Sequence, residues 1–156
     1  MRLVMAAAAS LLLLGSANAQ TPFSPQDLTG SWFIQIFGHP DSDPDASGTQ
    51  DKVADGSITF SKVGEGDYDC TFNIAFNFDQ SKRYGTTGAG WAVETCQATV
   101  IDGKITIQST IVRATSPEYR PDNFQLKIES GERMTGTMIG ESDGRGDPLL
   151  VIFRRR

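Results

Sequence analysis

The residues whose types and spacing most suggest chemistry are the carboxylates of an acidic stretch, Asp41, Asp43 and Asp45. Carboxylates at alternate positions open calcium-binding loops, because their oxygens converge on one cation. The pattern then departs from such a loop, since Ala46 stands where a glycine is needed and Lys52 where a bidentate glutamate is needed. We therefore predict a solvated acidic loop and no metal site, with calcium binding at the three aspartates as the alternative.

The only histidine, His39, precedes this loop and could act as a base oriented by Asp41 or Asp43. No serine or cysteine lies in a nucleophile elbow of the G-x-S-x-G type, and no second histidine is present to share a metal. A glycine-rich stretch at 84–91 opens no helix, so it does not predict a phosphate site. We predict an exposed loop histidine, no catalytic residues, no cofactor and a protein that is not an enzyme.

The two cysteines, Cys70 and Cys96, predict one disulfide, because an even number of cysteines in an exported protein indicates that they are paired. A nucleophilic cysteine would need a base, and His39 is distant in sequence. The bridge would close a loop of 27 residues, counted inclusively, and stabilise the fold by about 3 kcal/mol.

Residues 1–19 have the pattern of a signal peptide, with a basic start, an apolar run and an A-x-A site at 17–19. The run is too short to span a bilayer, and the sequence offers no other candidate span. Cleavage would leave a domain of residues 20–156 with 13 basic and 19 acidic side chains, a net charge of −6. This charge disfavours nucleic acid as a partner. We expect a periplasmic or secreted protein, with the arginines at 154–156 forming a solvated tail.

These residues must be positioned by strands, because apolar residues recur with period two and almost nowhere with helical period. Segment 68–78 is the clearest example, with one apolar face and one mainly polar face. The predicted strands lie at 31–37, 57–63, 68–78, 90–101, 104–112, 123–129, 133–140 and 148–154.

Segment 90–101 changes phase, because Trp91 and Val93 share one face whereas Cys96 lies on the other. A bulge near residues 94–95 would bring both groups to the core. Pairing Cys70 with Cys96 makes paired residue numbers sum to 166 before the bulge intervenes, which would place Phe76 opposite Gly90 and Phe78 opposite Gly88.

Eight short consecutive antiparallel strands predict an all-β, up-and-down barrel, with a sandwich as the alternative. Asp102-Gly103 is the strongest hairpin signal. The long connections, 38–56, 79–89 and 113–122, are where binding residues are expected. Four residues are candidate ligand-binding residues at the barrel mouth: Tyr84, Trp91, Tyr119 and Arg120. The predicted core includes Trp32, Ile34, Phe60, Phe72, Ile74, Phe76, Ile107, Leu126, Met138 and Phe153.

Gly30-Ser31-Trp32, at the start of the first strand, resembles the G-x-W motif of lipocalins and related calycin barrels. In that family the tryptophan closes the barrel bottom and a basic residue of the last strand packs across it. The resemblance implies a lipocalin-like barrel closed by Gly30, Trp32 and Arg154, with Arg155 as the alternative basic residue. Because eight-stranded barrels can hold one small ligand, we expect a small apolar or amphipathic molecule to bind.

The chain is also similar to periplasmic inhibitors of serralysin-type metalloproteases, which are small exported barrels with a G-x-W start and one disulfide. Those inhibitors place an N-terminal segment in the protease cleft. This resemblance implies a protein partner bound through residues 20–28, which is the alternative function.

Overall fold

Eight antiparallel strands pair in chain order and close into a barrel through the contact of the first strand with the last. The structure is a computed structural model, and it describes residues 27–38, 52–76, 90–117, 119–142 and 148–156. The strands are β1 (Gly30–Phe37), β2 (Lys52–Lys62), β3 (Asp67–Phe76), β4 (Gly90–Ile101), β5 (Lys104–Ala114), β6 (Asn123–Ser130), β7 (Arg133–Ser142) and β8 (Pro148–Arg155). The all-β, up-and-down barrel prediction is confirmed, and the sandwich alternative is wrong.

Up-and-down connectivity sorts the connections between two ends of the barrel. The short turns 63–66, 102–103 and 131–132 lie at one end, which we call the turn end. At the other end, which we call the loop end, lie the last residues of β1, β3, β5 and β7 and the first residues of β2, β4, β6 and β8. At the turn end, Asp102 and Gly103 have φ angles of 50° and 74°, as a two-residue hairpin turn requires.

The barrel interior is filled by the inward face of every strand. Nine of the ten predicted core residues are buried, and Phe76 is partly buried and packs against them. The ring centroids of Phe124 lie 5.9 Å from Phe72 and 5.6 Å from Phe153, so three rings from three strands meet inside. This packing explains why alternation along each strand predicted the core well.

The predicted change of phase in β4 is wrong. The β3–β4 register runs without a shift from Asp67↔Thr99 to Phe76↔Gly90, so paired numbers sum to 166 throughout. Trp91 therefore points outward and is 41% exposed, while Glu94 points inward. The β4–β5 register does shift between Val93 and Glu94, but the extra residue belongs to β5 and leaves the faces of β4 unchanged.

The predicted disulfide is confirmed. Cys70 and Cys96 lie directly opposite each other on β3 and β4, with Cα atoms 4.8 Å apart, and they form a disulfide. Both residues belong to the buried core. The bridge therefore joins two neighbouring strands at the position that the register sets.

Several predictions lie outside the described residues. They are the signal peptide at 1–19, most of the N-terminal segment 20–28, His39, the aspartates at 41, 43 and 45, Tyr84, and the pairing of Phe78 with Gly88. They remain predictions.

Candidate functional site

A gap in the strand pairing marks the loop end of the barrel. β5 and β6 pair over only four positions, from Lys104↔Lys127 to Ile107↔Phe124, although β5 continues to Ala114. Beyond the paired section Ser109 joins the two strands, because its amide donates to Asn123 Oδ1 (2.8 Å) and its hydroxyl to the Asp122 carbonyl (2.6 Å). The connection that leads into β6 therefore lies beside the loop-end part of β5, and its side chains can reach the barrel interior.

Glu94 is the polar residue that β4 places inside the barrel. Alternation along β4 buries Ala92, Glu94 and Cys96 on one face, and Glu94 is 0% exposed. Its Oε2 accepts a hydrogen bond from the backbone N–H of Asp122 (3.1 Å), whereas its Oε1 has no hydrogen-bond partner among the described residues. Buried polar atoms are rarely left without a partner, so an orphan carboxylate oxygen is a feature that calls for a function.

Asp122 and Tyr119 complete the cluster. Asp122 is 1% exposed, and its Oδ2 accepts a hydrogen bond of 2.7 Å from the Tyr119 hydroxyl. The Tyr119 ring meets Phe76 edge-on, with centroids 5.4 Å apart. Two carboxylates and one phenol thus lie in a setting that is otherwise apolar, and we call Glu94, Asp122 and Tyr119 the acidic cluster.

Burial controls the electrostatics of this cluster. Desolvation raises the pKa of Glu94 from 4.5 to about 7, and hydrogen bonds with Asp122 oppose the rise without cancelling it. Glu94 can therefore exist in either protonation state near neutral pH. Chemically, its free oxygen can accept a hydrogen bond from a ligand or exchange a proton.

Small side chains surround Glu94 toward the loop end. Ala92, two residues along the same face, pairs with Ile74 on β3 and Ala114 on β5. Ala54 on β2 pairs with Phe76. Phe76 and Tyr119 also lie at this end, and we take the space beside these small side chains as the candidate place for a guest molecule.

Three of the four predicted ligand-binding residues are described, and they do not share one site, because Trp91 is turned away from the interior. It lies on the outer face of the barrel, where the Arg113 guanidinium carbon is 5.5 Å from its ring centroid. Tyr119 is inside, in the acidic cluster, and Arg120 is exposed on the connection beside it. Tyr84 lies outside the described residues.

The prediction that Arg154 packs across Trp32 is wrong, because the residue that does so is Arg155. The Arg155 guanidinium carbon lies 4.7 Å from the Trp32 ring centroid, and Trp32 is 1% exposed. Arg154 pairs with Phe33 on the outward face and donates to Gln35 Oε1 (3.4 Å). The reason is period two: Phe153 points inward, so Arg155 shares its face and Arg154 does not.

Gly30 and the chain end support this closure. Gly30 has a φ of +114°, a conformation that glycine adopts easily, and its predicted structural role fits that geometry. Arg155 donates to the carbonyls of Asp27 (2.5 Å), Thr29 (3.3 Å) and Gly131 (3.1 Å). The prediction of a wholly solvated arginine tail is therefore wrong for this residue.

The outer face carries an open groove of about 780 Å³ that crosses β1 to β4. Phe33 on β1 and Trp91 on β4 line its two sides, and Asn73 on β3 lines it between them. The Arg156 guanidinium carbon lies 4.2 Å from the Phe33 ring centroid. Sequence alternation places these residues outside but does not show that they share a groove.

Clusters of metal-ligating side chains and membrane-spanning helices are both absent from the described part of the chain. Within it, no group of three or more His, Cys, Asp or Glu side chains is arranged to hold a metal ion. The same residues include no helix that is long and apolar enough to cross a membrane.

Sequence reasoning missed Glu94 and Asp122. A signal for Glu94 was present, because the register fixed by Cys70 and Cys96 places it opposite Phe72, a predicted core residue. A buried glutamate contradicts the usual preference for apolar residues inside, and the bulge predicted to bring both Trp91 and Cys96 to the core interrupted the register before it reached Glu94. Asp122 carried no comparable signal, since it lies in a connection with no periodic pattern.

Comparison with known proteins shows the fold and no family. No protein-family model and no curated protein matches the sequence. A redesigned β-barrel, b11L5F_LGL, is 13% identical with a TM-score of 0.52, covering 83% of this chain and 91% of that one. EF1p2_mFAP2b bound to DFHBI is 15% identical with a TM-score of 0.52, covering 83% of this chain and 94% of that one. Identities this low establish a shared barrel architecture and nothing finer.

Proposed function

We propose that this protein is an exported, non-enzymatic barrel that binds a small apolar or amphipathic molecule in the loop-end half of its interior. The observation that carries the proposal is Glu94, which is fully buried with one carboxylate oxygen left free. Ligand pockets are mostly apolar with a few polar groups that orient the guest. The acidic cluster beside Ala92 and Ala114 has this composition.

The similarity to EF1p2_mFAP2b supports the proposal at the level of architecture. That barrel is bound to DFHBI, so the fold is compatible with holding a compound. The Tyr119 and Phe76 rings pack against each other, and Tyr119 belongs to the acidic cluster, so we expect a guest that reaches the free oxygen to displace one of these rings. Ligand entry is therefore expected to depend on the connection that carries Tyr119.

The experiment is a fluorescence titration of the purified protein with prodan, a neutral dye that is sensitive to polarity. We expect saturable binding with one site and a blue-shifted emission. Ala114→Phe, which adds a ring at the loop end of the interior, should weaken binding at least about tenfold. Ala75→Phe is the matched control, because Ala75 is the corresponding small residue on the outer face and lines the outer groove.

Two results would overturn the location or the function. Loss of prodan binding in Ala75→Phe but not in Ala114→Phe would move the site to the outer groove. Absence of saturable binding in the unmodified protein would remove the small-molecule function.

The competing hypothesis is a protein partner bound through residues 20–28. Leu28 is buried and its carbonyl accepts a hydrogen bond from Trp32 Nε1 (2.9 Å), so this last residue of the segment belongs to the fold at the turn end. Deletion of residues 20–26 alone leaves this contact intact. Native mass spectrometry of protein taken from its own compartment should show a small molecule that the deletion retains; a protein partner lost with the deletion would favour the competing hypothesis.

Export is tested separately by N-terminal sequencing of the protein from the periplasm or the culture medium. We expect the mature chain to begin at Gln20, as the cleavage pattern at 17–19 predicts. The disulfide between Cys70 and Cys96 is compatible with an oxidising compartment.

A further inference from the structure

Glu94 is a buried carboxyl group with no cation beside it among the residues that the structure describes. Glu94 and Asp122 are both buried, and no lysine or arginine in the described residues forms an ion pair with Glu94. An ionised carboxylate inside a protein is costly unless a counter-charge accompanies it. The described residues supply hydrogen bonds to Glu94 from Asp122 but no cation.

One hydrogen-bond acceptor of the acidic cluster also has no donor among the described residues. The Tyr119 hydroxyl donates to Asp122 Oδ2, and the Asp122 amide donates to Glu94 Oε2. Glu94 Oε1 is the acceptor that the cluster leaves open. When Glu94 is ionised, a ligand group suited to this position must be a donor, and a group that only accepts, such as a second carboxylate, would be repelled.

The side chains near Glu94 define the remainder of the ligand. Ala92 lies on the same face of β4, and Ile74 and Phe76 lie on the neighbouring strand. These groups can contact an alkyl or aromatic body but offer no further polar partners. The part of the ligand away from the donor must then be apolar.

We propose that the ligand of this barrel is a small apolar amine, whose protonated nitrogen donates a hydrogen bond to Glu94 Oε1 and supplies the missing positive charge. This inference rests on the proposed function, because it names the chemical class of the molecule bound at that site. Charge-assisted hydrogen bonds are about twice as strong as neutral ones. The barrel should therefore prefer an amine over an alcohol with the same apolar body.

The test uses three compounds that share one alkyl chain: octylamine, octanol and octanoate. Each competes with prodan for the purified protein at pH 8, where Glu94 is largely ionised and octylamine remains protonated. We expect octylamine to bind at least about tenfold more tightly than octanol, and octanoate to bind most weakly. This comparison needs no variant, so it does not depend on the folding of a mutant.

Glu94→Gln then assigns the preference to one side chain. The variant should bind octylamine and octanol within about twofold of each other, because the amide carries no charge to favour the amine. Asp69→Asn is the matched control, because Asp69 is an exposed carboxylate on the outer face of β3, and it should keep the full amine preference.

The outcomes separate this inference from the proposed function. Equal binding of octylamine and octanol would overturn the amine inference while leaving a small-molecule barrel, as would an amine preference that survives in Glu94→Gln. Failure of all three compounds and of prodan to bind would overturn the proposed function itself.

Discussion

Arg155 lies over Trp32 at the turn end of the barrel, with its guanidinium carbon 4.7 Å from the ring centroid. The same guanidinium donates hydrogen bonds to three backbone carbonyls. Two of them belong to residues 27–29 just before β1, and one lies in the β6–β7 turn. One side chain from the last strand thus links the start of the barrel, its first tryptophan and a hairpin turn.

This relationship predicts unequal roles for two adjacent arginines. Arg155→Ala removes a cation–π contact and three hydrogen bonds, and we expect it to lower the free energy of unfolding by about 2 kcal/mol. Arg154→Ala is the neighbouring control and should cost less than about 1 kcal/mol, because the hydrogen bond from Arg154 to Gln35 is long and lies on the outer face. Urea denaturation of both variants measures the difference. An Arg154→Ala variant that is the less stable of the two would contradict the assignment.

Glu94 predicts a pH dependence of stability. The folded protein keeps the Glu94 proton up to about pH 7, whereas the unfolded chain releases it near the ordinary pKa of 4.5. Folding therefore takes up a proton between these values, and the free energy of unfolding should fall as pH rises through this range. A shift of this size corresponds to about 3 kcal/mol.

Glu94→Gln should remove this part of the pH dependence. The variant is expected to match the unmodified protein near pH 4.5 and to be more stable than it at pH 8, because a neutral amide carries no buried charge. Denaturation curves from pH 4.5 to 8 provide the measurement, with the exposed Glu65→Gln as control. Parallel curves for the unmodified protein and Glu94→Gln would show that burial does not shift this carboxyl.

The disulfide predicts a further stability difference. The bridge between Cys70 and Cys96 spans 26 positions of sequence and restricts the unfolded chain, so the double variant Cys70→Ala/Cys96→Ala should be less stable by about 3 kcal/mol. Burial of both cysteines should also make the bond resistant to mild reductants. Alkylation and intact-mass analysis without reductant should find no free thiol, and two alkylated cysteines would overturn this prediction.

Gly56 lies on β2 at a position where we expect the barrel to tolerate no side chain. A Cβ at Gly56 would lie 2.1 Å from the Asn73 carbonyl oxygen and 2.9 Å from the Ile74 Cα, so β2 approaches β3 too closely for any side chain. Gly56→Ala should destabilise the barrel by about 3 kcal/mol, since rigid backbone must move. Gly64→Ala is the control, because its Cβ would first meet the Asp67 side chain at 3.4 Å. Equal stability of the two variants in thermal denaturation would contradict the close approach.

The sequence by itself determined the strands, their order and most of the core. Alternation with period two is a local property, so Phe72, Ile74 and Phe153 could be assigned to the interior without knowing what they contact. Two cysteines were enough to set the register of β3 and β4, because pairing one position of an antiparallel ladder sets all the others.

Tertiary structure decided which polar groups meet. Glu94 and Asp122 are 28 residues apart in sequence. They come together because β5 and β6 separate on the loop-end side of their four paired positions, which lets the connection between them reach the interior. No local pattern encodes such a gap. The choice of Arg155 over Arg154 has a similar origin, since the basic residue that covers Trp32 is selected by the face of β8 that closes against β1. Periodicity is a property of single strands, whereas the free oxygen of Glu94 results from how all eight strands close.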